Sequence, residues 1–392
     1  MKKSLFVAGL IIAATALSAP LTSSAETGIT KDTIHIGMYG PITGSTSVGS
    51  LPLFGAAAIY KSVNDAGGIN GRKIKLSIED AACDPNKAIS AIKKLVSQDK
   101  VFMIHGGWCS GTVMAIKPEL ARNPTMPFMD LAAASSDIST PVSANIFQPV
   151  ATTVTVTKTM LDFALSKPGT KRIAIISHSD EWAKSHLTPL LAYMKAHGMT
   201  PVESVRLEHG STDATSQLLK IRAAKPDMVM AILYPPELTL YLRGAYKYGI
   251  KAPTITTQGV SIEDMVHRVG NPDATKNLYV FYPLDARMDD PKFKKWIDIY
   301  RKYYPKEPVE TLSIMGMTGA LAVVHALKNA GPDLTREKVI DQLNTLKDFN
   351  PGIQSGPLTF TPKVHAGITS GKMIYWPKDH PVIISAYPVT KN

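Results

Sequence analysis

Residues 34–78 read IHIGMYGPITGSTSVGSLPLFGAAAIYKSVNDAGGINGRKIKLSI, and this stretch decides the fold. It begins with residues that alternate between apolar and polar, Ile34–Met38, which predict a strand, followed by a Gly/Ser-rich turn at 44–50. Apolar residues then recur at helical spacing over Phe54–Ala66, and Gly67-Gly68 ends this predicted helix. The tight-turn signal Asn70-Gly71 leads into a second predicted strand, Ile74–Ile78. A strand, a helix and a strand in this order predict a βαβ unit of a parallel sheet.

The same alternation continues outward from this unit through most of the chain. Further strands are predicted at Val101–Ile104, Pro127–Asp130, Arg172–Ser177, Val202–Leu207, Met228–Leu233, Thr254–Thr256, Leu278–Phe281, Gly356–Thr361 and Lys372–Trp376. Helices are predicted at Asn86–Gln98, Thr112–Arg122, Leu187–His197, Thr215–Ala224, Leu238–Tyr248, Pro291–Tyr304, Ile314–Ala330 and Thr335–Leu346. One sheet of so many strands would be large, so the pattern favours an α/β protein of two doubly wound lobes.

The N-terminus has the pattern of a secretory signal peptide, residues 1–25. Lys2 and Lys3 precede an apolar run, Leu5–Leu17, which is shorter than the ~20 residues of a spanning helix. Small residues end at Ala25, where we predict cleavage. No later stretch reads as a membrane span, so we expect an exported, soluble protein.

Composition and charge argue against a disordered protein and against a nucleic-acid-binding protein. The 392 residues are 44% hydrophobic and 19% charged, which is typical of globular domains rather than disordered chains. The formal net charge of +11 favours anionic partners in general, yet no dense Lys/Arg stripe with interleaved aromatics occurs. We therefore predict no nucleic-acid binding.

Five turns that follow predicted strands are rich in Gly, Ser, Thr and Ala. They are Thr43–Gly49, Gly106–Thr112, Ala132–Ser136, Ser177–Ala183 and Thr256–Ser261. Because ligands of doubly wound sheets bind at the carboxyl ends of the strands, where helix N-termini receive anions, these turns predict a ligand cleft.

The two cysteines, Cys83 and Cys109, allow two interpretations. Residues 107–111, GWCSG, lie between a strand and a helix like a nucleophile elbow, which would make Cys109 the nucleophile of a hydrolase. In an exported chain, however, two cysteines most simply pair, and a disulfide-bonded sulfur is no nucleophile. We favour the disulfide. No zinc-helix spacing, Walker loop or dinucleotide-binding glycine motif occurs, so we predict no metal, no cofactor and no enzymatic activity.

Four short sequence motifs, which follow one another in a recognisable order, resemble those of a known protein family. They are Thr43-Gly44, residues 64–72 (NDAGGINGR), residues 80–85 (DAACDP) and Cys109-Ser110. Together they resemble the leucine/isoleucine/valine-binding protein family, the periplasmic solute-binding components of ABC importers. The resemblance implies the type I periplasmic-binding fold, with two Rossmann-like lobes joined by three crossover segments that close like a hinge. It also implies the Cys83–Cys109 disulfide.

On this resemblance we expect residues 26–150 plus 283–356 to form lobe 1 and residues 151–282 plus 357–392 to form lobe 2. The family's function implies a periplasmic, monomeric protein that binds a small-molecule ligand and docks transiently on an ABC permease in the inner membrane. A ligand sensor on the same fold is a further alternative.

The resemblance also implies ligand contacts. Ser110 matches a serine that holds the ligand carboxylate. The other matched positions are Ala132 and Ala134 in the next turn, Trp182 and Tyr234 at two family tyrosines, Gln258 at the family glutamate that accepts the ligand ammonium, Gly259 beside it, and Val48 near a pocket tyrosine.

The departures from the family pattern suggest a different ligand. Gln258 has no charge for an ammonium, and a buried ammonium without a carboxylate is costly. The hypothesis is therefore a carboxylate without an α-ammonium and with a flat or branched apolar body, such as an aromatic acid or a branched 2-oxo acid. In the alternative, Glu263 or Asp285 replaces the lost glutamate, and the ligand is a branched-chain aliphatic amino acid.

Overall fold

The computed structural model describes residues 26–377 and 380–388. The predicted signal peptide, residues 1–25, lies outside the described residues.

Thirteen strands form two sheets in the described residues. The first sheet has the order β11-β5-β4-β3-β1-β2, with β1 (Thr33–Gly40), β2 (Lys73–Asp80), β3 (Met103–Gly106), β4 (Phe128–Asp130), β5 (Ile146–Ala151) and β11 (Ala366–Ile368). The second has the order β13-β12-β10-β9-β8-β6-β7, with β6 (Ile173–Ser177), β7 (Glu203–Arg206), β8 (Met228–Ile232), β9 (Thr254–Thr256), β10 (Leu278–Tyr282), β12 (Ser370–Tyr375) and β13 (Val382–Pro388). All neighbours are parallel except β10–β12 and β12–β13.

Helices pack against both sheets. The helices of the first lobe are α1 (Ser50–Asp65), α2 (Pro85–Lys93), α3 (Ser110–Arg122), α10 (Lys294–Tyr303), α11 (Thr311–Met315), α12 (Met317–Asn329) and α13 (Arg336–Asn344). Those of the second are α4 (Thr153–Ser166), α5 (Glu181–Ala196), α6 (Thr215–Ala224), α7 (Pro235–Lys247), α8 (Ile262–Val269) and α9 (Pro272–Thr275). The predicted α/β class with two doubly wound lobes is confirmed.

The quoted stretch forms the predicted βαβ unit. Strand β1 is buried over seven of its eight residues because it lies between β2 and β3. Asn70 and Gly71 both have positive φ, 47° and 81°, as a two-residue type I′ turn requires. After β2, the Asp84 side chain accepts the N–H groups of Asn86 and Lys87 at 2.7 and 3.0 Å, which starts α2.

The chain passes between the sheets three times in the described residues: after β5, after β10 and after β11. The third passage differs from the predicted lobe division. We expected residues 357–392 in lobe 2, whereas β11 pairs with β5 in the first sheet, so the chain crosses after Ile368.

One predicted strand was wrong, and several elements were missed, among them β5 and α4. Residues 356–361 form no strand; Leu358 and Phe360 are buried, but the backbone there pairs only at single bridges. Strand β5 and helix α4 were missed. Pro149 in β5 argues against a strand, and the alternating Thr/Val residues at the start of α4 are typical of strands rather than helices.

One stretch, Thr311–Asn329, is long and apolar enough to cross a membrane by length and composition, contrary to the sequence reading. It comprises α11 and α12, and 83% of its most apolar window is buried inside the protein. Because α12 packs on α1, β4 and β5, this burial is that of a core helix.

Candidate functional site

Helix α3 starts at the carboxyl end of β3, in one of the turns singled out in the sequence. Ser110 is its first residue, and the side chain of the preceding Cys109 makes no capping hydrogen bond. The first amide groups of a helix lack intrahelical partners and carry the positive end of its dipole. Ser110 is fully buried; its Oγ accepts the N–H of Ser135 at 3.2 Å, and its own hydroxyl hydrogen meets no acceptor within the described chain. This helix start can therefore receive a carboxylate.

Cys83 and Cys109 form a disulfide, with their Cα atoms 5.6 Å apart. The bond joins the turn after β2 to the turn after β3, next to Ser110. The predicted disulfide is confirmed, and the alternative of a Cys109-dependent hydrolase is wrong because the sulfur is not a free thiol.

Ala132 and Ala134 lie in the turn after β4, against the start of α3. The Ala132 N–H donates to the Gly107 carbonyl at 3.0 Å, and the Ala134 carbonyl accepts the Thr153 N–H at 2.7 Å. The Ala134 carbonyl is thus used within the protein. The turn therefore packs beside Ser110, whose Oγ accepts the N–H of Ser135.

Trp182 and Tyr234 come together from the starts of α5 and α7. Their rings stack on each other, with centroids 4.3 Å apart and planes 18° apart. Both side chains are buried. One face of each ring is therefore used by the other ring, and the pair forms a single apolar slab rather than two separate stacking faces.

Gln258 and Gly259 follow β9 and link this slab to the first lobe. The Gln258 Nε2 donates to the Ala151 carbonyl, at the end of β5, over 2.7 Å. Gly259 lies against Trp182, because a Cβ added there would be 3.1 Å from Trp182 Cζ2. Trp182, Tyr234 and Gly259 thus form one group in the second lobe, and Gln258 beside them bonds to the end of β5 in the first lobe.

Val48 lines a cavity of about 330 Å³ whose walls come from both lobes, including Leu51 and Phe54 on one side and Asp264 and Arg268 on the other. The next residue, Gly49, lies against Trp108, because a Cβ added there would be 2.5 Å from the indole ring.

Acidic side chains connect the lobes beside that cavity. Ser261 Oγ donates to Glu310 at 2.8 Å, and Thr311 Oγ1 donates to Glu263 at 3.2 Å. Burial, together with the neighbouring charge of Asp264, raises the pKa of Glu310 to about 7. Burial also raises the pKa of Glu263. Both bonds run between the start of α8 and the start of α11, so they form only when the lobes are together.

Sequence reasoning missed a group of four residues behind the aromatic slab. His178 Nδ1 bonds to the Leu207 carbonyl at 2.7 Å, and its Nε2 accepts the Tyr234 N–H at 3.0 Å. His209 stacks on His178 with centroids 3.9 Å apart and bonds to Asp180 at 3.0 Å. The other two members of the group are Asp180 and Glu237. Strands β6 and β7 are neighbours, so the rule that carboxyl ends meet at one edge would have brought His178 and His209 together.

His178, His209 and Glu237 have ligand atoms within 4.8 Å of one another, a spacing that suits a metal ion. A carbonyl only accepts, so His178 carries its proton on Nδ1, and the lone pair of Nε2 is used by the Tyr234 N–H. Burial lowers the pKa of His178, which agrees with a neutral ring. His178 therefore positions the Tyr234 backbone and has no lone pair left for a metal.

Trp108 was also missed, although it lies in the same turn as Ser110. Its indole N–H is buried and has no acceptor in the residues that the structure describes. A large aromatic two positions before a predicted ligand serine is a signal that the sequence contained.

Comparisons with known proteins agree with this architecture. The family model described as periplasmic binding protein matches residues 33–381. An "Amino acid binding protein" of Pseudomonas aeruginosa is 25% identical over 289 residues, covering 74% of this chain and 76% of that protein. The "Leucine-, isoleucine-, valine-, threonine-, and alanine-binding protein" of the same organism is 24% identical over 320 residues, covering 81% and 84%.

Solved structures share the fold at low identity. A branched-chain amino acid ABC transporter protein from Thermus thermophilus with bound valine has a TM-score of 0.82 at 19% identity, covering 92% of this chain and 98% of that one. A fatty acid ABC transporter substrate-binding protein from Thermomonospora curvata has a TM-score of 0.80 at 22% identity, covering 94% and 95%. The same fold thus occurs in proteins that are described for different ligands.

Proposed function

The chain belongs to the periplasmic binding protein family, and from this premise we propose that it captures a small carboxylate between its lobes for import by an ABC transporter. In this role the ligand is bound and released unchanged. The observation that carries the proposal is the uncapped start of α3, where Ser110 has a hydroxyl hydrogen to donate, in a helix that contacts α5 of the second lobe.

The amide at Gln258 supports a ligand without an α-ammonium. The position has no charge, and its Nε2 is already bonded to the Ala151 carbonyl. An ammonium buried there would lose its hydration without meeting a carboxylate, at a cost of several kcal/mol.

Neither of the two candidate replacement acids is well suited to bind an ammonium. Asp285 is paired with both Lys292 and Lys372, with 3.0 Å between its Oδ1 and Lys372 Nζ. Glu263 accepts a hydrogen bond from Thr311, and burial raises its pKa, which favours the neutral acid. A branched-chain amino acid remains the second candidate because two relatives are named for amino acids.

The apolar part of the ligand would lie against the slab of Trp182 and Tyr234. Because the two rings already stack on each other, the ligand meets one outer surface of the pair. Aromatic carboxylates and branched 2-oxo acids both match one anionic end and one apolar body.

We also propose an exported, monomeric protein in the periplasm that docks transiently on an inner-membrane permease. The family name and the signal-peptide pattern of residues 1–25 support this location.

A thermal-shift panel on ligand-stripped, refolded protein starting at Glu26 tests the proposal. Benzoate, cinnamate and branched 2-oxo acids are compared with leucine, valine and phenylalanine. A ligand at a hundred times its Kd adds ~2.7 kcal/mol of stability, which raises the midpoint by several degrees. Shifts with the acids alone support the proposal; shifts with leucine or valine alone identify the amino-acid alternative and overturn it.

A further inference from the structure

The side-chain amide of Gln258 has one partner and one unused atom. The atom that faces the Ala151 carbonyl at 2.7 Å must be the nitrogen, since a carbonyl only accepts hydrogen bonds. The orientation of the amide is therefore determined, and Oε1 is the remaining atom. Gln258 is 4% exposed, and no donor reaches its Oε1 from the described part of the protein.

A buried acceptor without a donor is unfavourable. Leaving such a group unsatisfied destabilises the protein, and most buried polar groups in proteins have a partner. The bond joins Gln258, which follows β9 of the second lobe, to Ala151, the last residue of β5 in the first lobe. A ligand that brings a donor to this oxygen removes the penalty.

The chemistry of the acceptor selects the donor. A ketone oxygen of a 2-oxo acid has no hydrogen and would place a second acceptor against Oε1. An ammonium has hydrogens, but a neutral amide cannot compensate for the loss of its hydration. A hydroxyl group donates one hydrogen, carries no charge and suits a neutral amide oxygen.

Three hydrogen bonds connect the two ends of the site. Ser110 bonds to Ser135, the adjacent Ala134 bonds to Thr153, and Ala151, two residues before Thr153, bonds to Gln258. We place the donor on the carbon next to the carboxylate, which is the shortest spacing between a carboxylate and a hydroxyl. A ring-hydroxylated benzoate in the binding test represents a longer spacing.

We propose that the ligand is a 2-hydroxy carboxylate whose hydroxyl donates to Gln258 Oε1. This inference rests on the proposed function, because it takes the carboxylate at Ser110 as given. Gln258 is then the residue that selects among carboxylates of the same size.

Four acids that differ only at the second carbon test this selection. Mandelate carries a hydroxyl, phenylglyoxylate an oxo group, phenylacetate only hydrogens and phenylglycine an ammonium. We expect calorimetric titration of the stripped protein to give mandelate a Kd about tenfold or more below those of phenylglyoxylate and phenylglycine. The aliphatic series 2-hydroxyisocaproate, 2-oxoisocaproate and leucine repeats the comparison if the apolar pocket prefers a branched chain.

The variant Gln258→Met removes the acceptor and keeps the side-chain length. We expect it to reduce the preference for the hydroxy acid over the oxo acid to less than about twofold while phenylacetate binding persists, which shows that the variant is folded. Gln217→Met is the matched control, because Gln217 is a partly exposed glutamine in α6 whose Nε2 donates to the Arg206 carbonyl. It should keep the preference of the parent protein.

The outcomes distinguish a failure of the proposed function from a failure of the proposed hydroxyl contact. If no carboxylate in either series binds, the proposed function fails and the inference fails with it. If the carboxylates bind but the oxo acid or the amino acid equals the hydroxy acid, or a ring-hydroxylated benzoate alone binds tightly, the proposed function stands and the hydroxyl contact is refuted.

Discussion

Glu310→Gln should remove a pH-dependent loss of stability from the contact between the lobes. Glu310 accepts the Ser261 hydroxyl at 2.8 Å, and its neighbours include Asp264, Glu263 and Arg268. Burial and the nearby negative charges raise its pKa from 4.5 to about 7. A glutamine keeps an oxygen acceptor for Ser261 and resembles the protonated acid at every pH.

The direction of the pH effect on stability follows from the difference in the Glu310 pKa between the folded and unfolded states. The folded protein holds the Glu310 proton more tightly than the unfolded chain, so this contribution to stability is complete below about pH 4.5 and is lost as the pH rises through about 7. Each pKa unit corresponds to about 1.4 kcal/mol, which gives a loss of ~3 kcal/mol at most. Glu310 is partly exposed, so water screens part of this penalty, and we expect ~1–2 kcal/mol.

Urea unfolding at pH 5, 6, 7 and 8 measures the effect. The free energies of unfolding of parent and variant should agree within about 0.5 kcal/mol at pH 5, and the variant should be ~1–2 kcal/mol more stable at pH 8. Glu307→Gln is the control, because it removes one negative charge from the same cavity wall without touching Ser261. Parallel profiles for parent and Glu310→Gln would show that the reasoning about this carboxyl is incorrect.

Three further predictions concern the site and its support. Replacing Cys83 and Cys109 by serine should lower the free energy of unfolding by about 3–4 kcal/mol, because the bond closes a loop with a sequence separation of 26; equal urea midpoints with and without the bond would contradict this. Ser110→Ala should weaken carboxylate binding about tenfold or more in calorimetry, since a hydrogen bond to a charged group is lost; unchanged affinity would remove Ser110 from the site. His178→Leu should destabilise the fold by about 2–4 kcal/mol, because it leaves the Tyr234 N–H and a buried carbonyl without partners; thermal unfolding within a few tenths of a kcal/mol of the parent would refute the positioning role.

Much of the fold could be predicted because its signals are local. The positive φ values at Asn70 and Gly71 and the side-chain cap of Asp84 on α2 depend on residues a few positions apart. Strand β5 and helix α4 were missed because their residue types, a proline in one and alternating threonines in the other, favour a different local structure that tertiary packing overrides.

The site was only partly predictable for the same physical reason. The resemblance indicated Ser110, Trp182, Tyr234 and Gln258 as contact residues. It did not indicate that the two aromatic rings would stack on each other, or that Gln258 would bond across to Ala151.

The sequence by itself determined the class of fold, the positions of the strand-to-helix turns and the disulfide partners, because periodicity, turn chemistry and cysteine number are properties of short segments. Only the tertiary structure decided which atoms remain available for a ligand. The Gln258 Nε2, both nitrogens of His178 and the carboxylate of Asp285 are all used by partners distant in the chain. Each donor and acceptor pairs with the groups that the fold brings within about 3 Å of it. Residue types alone do not predict which groups these are.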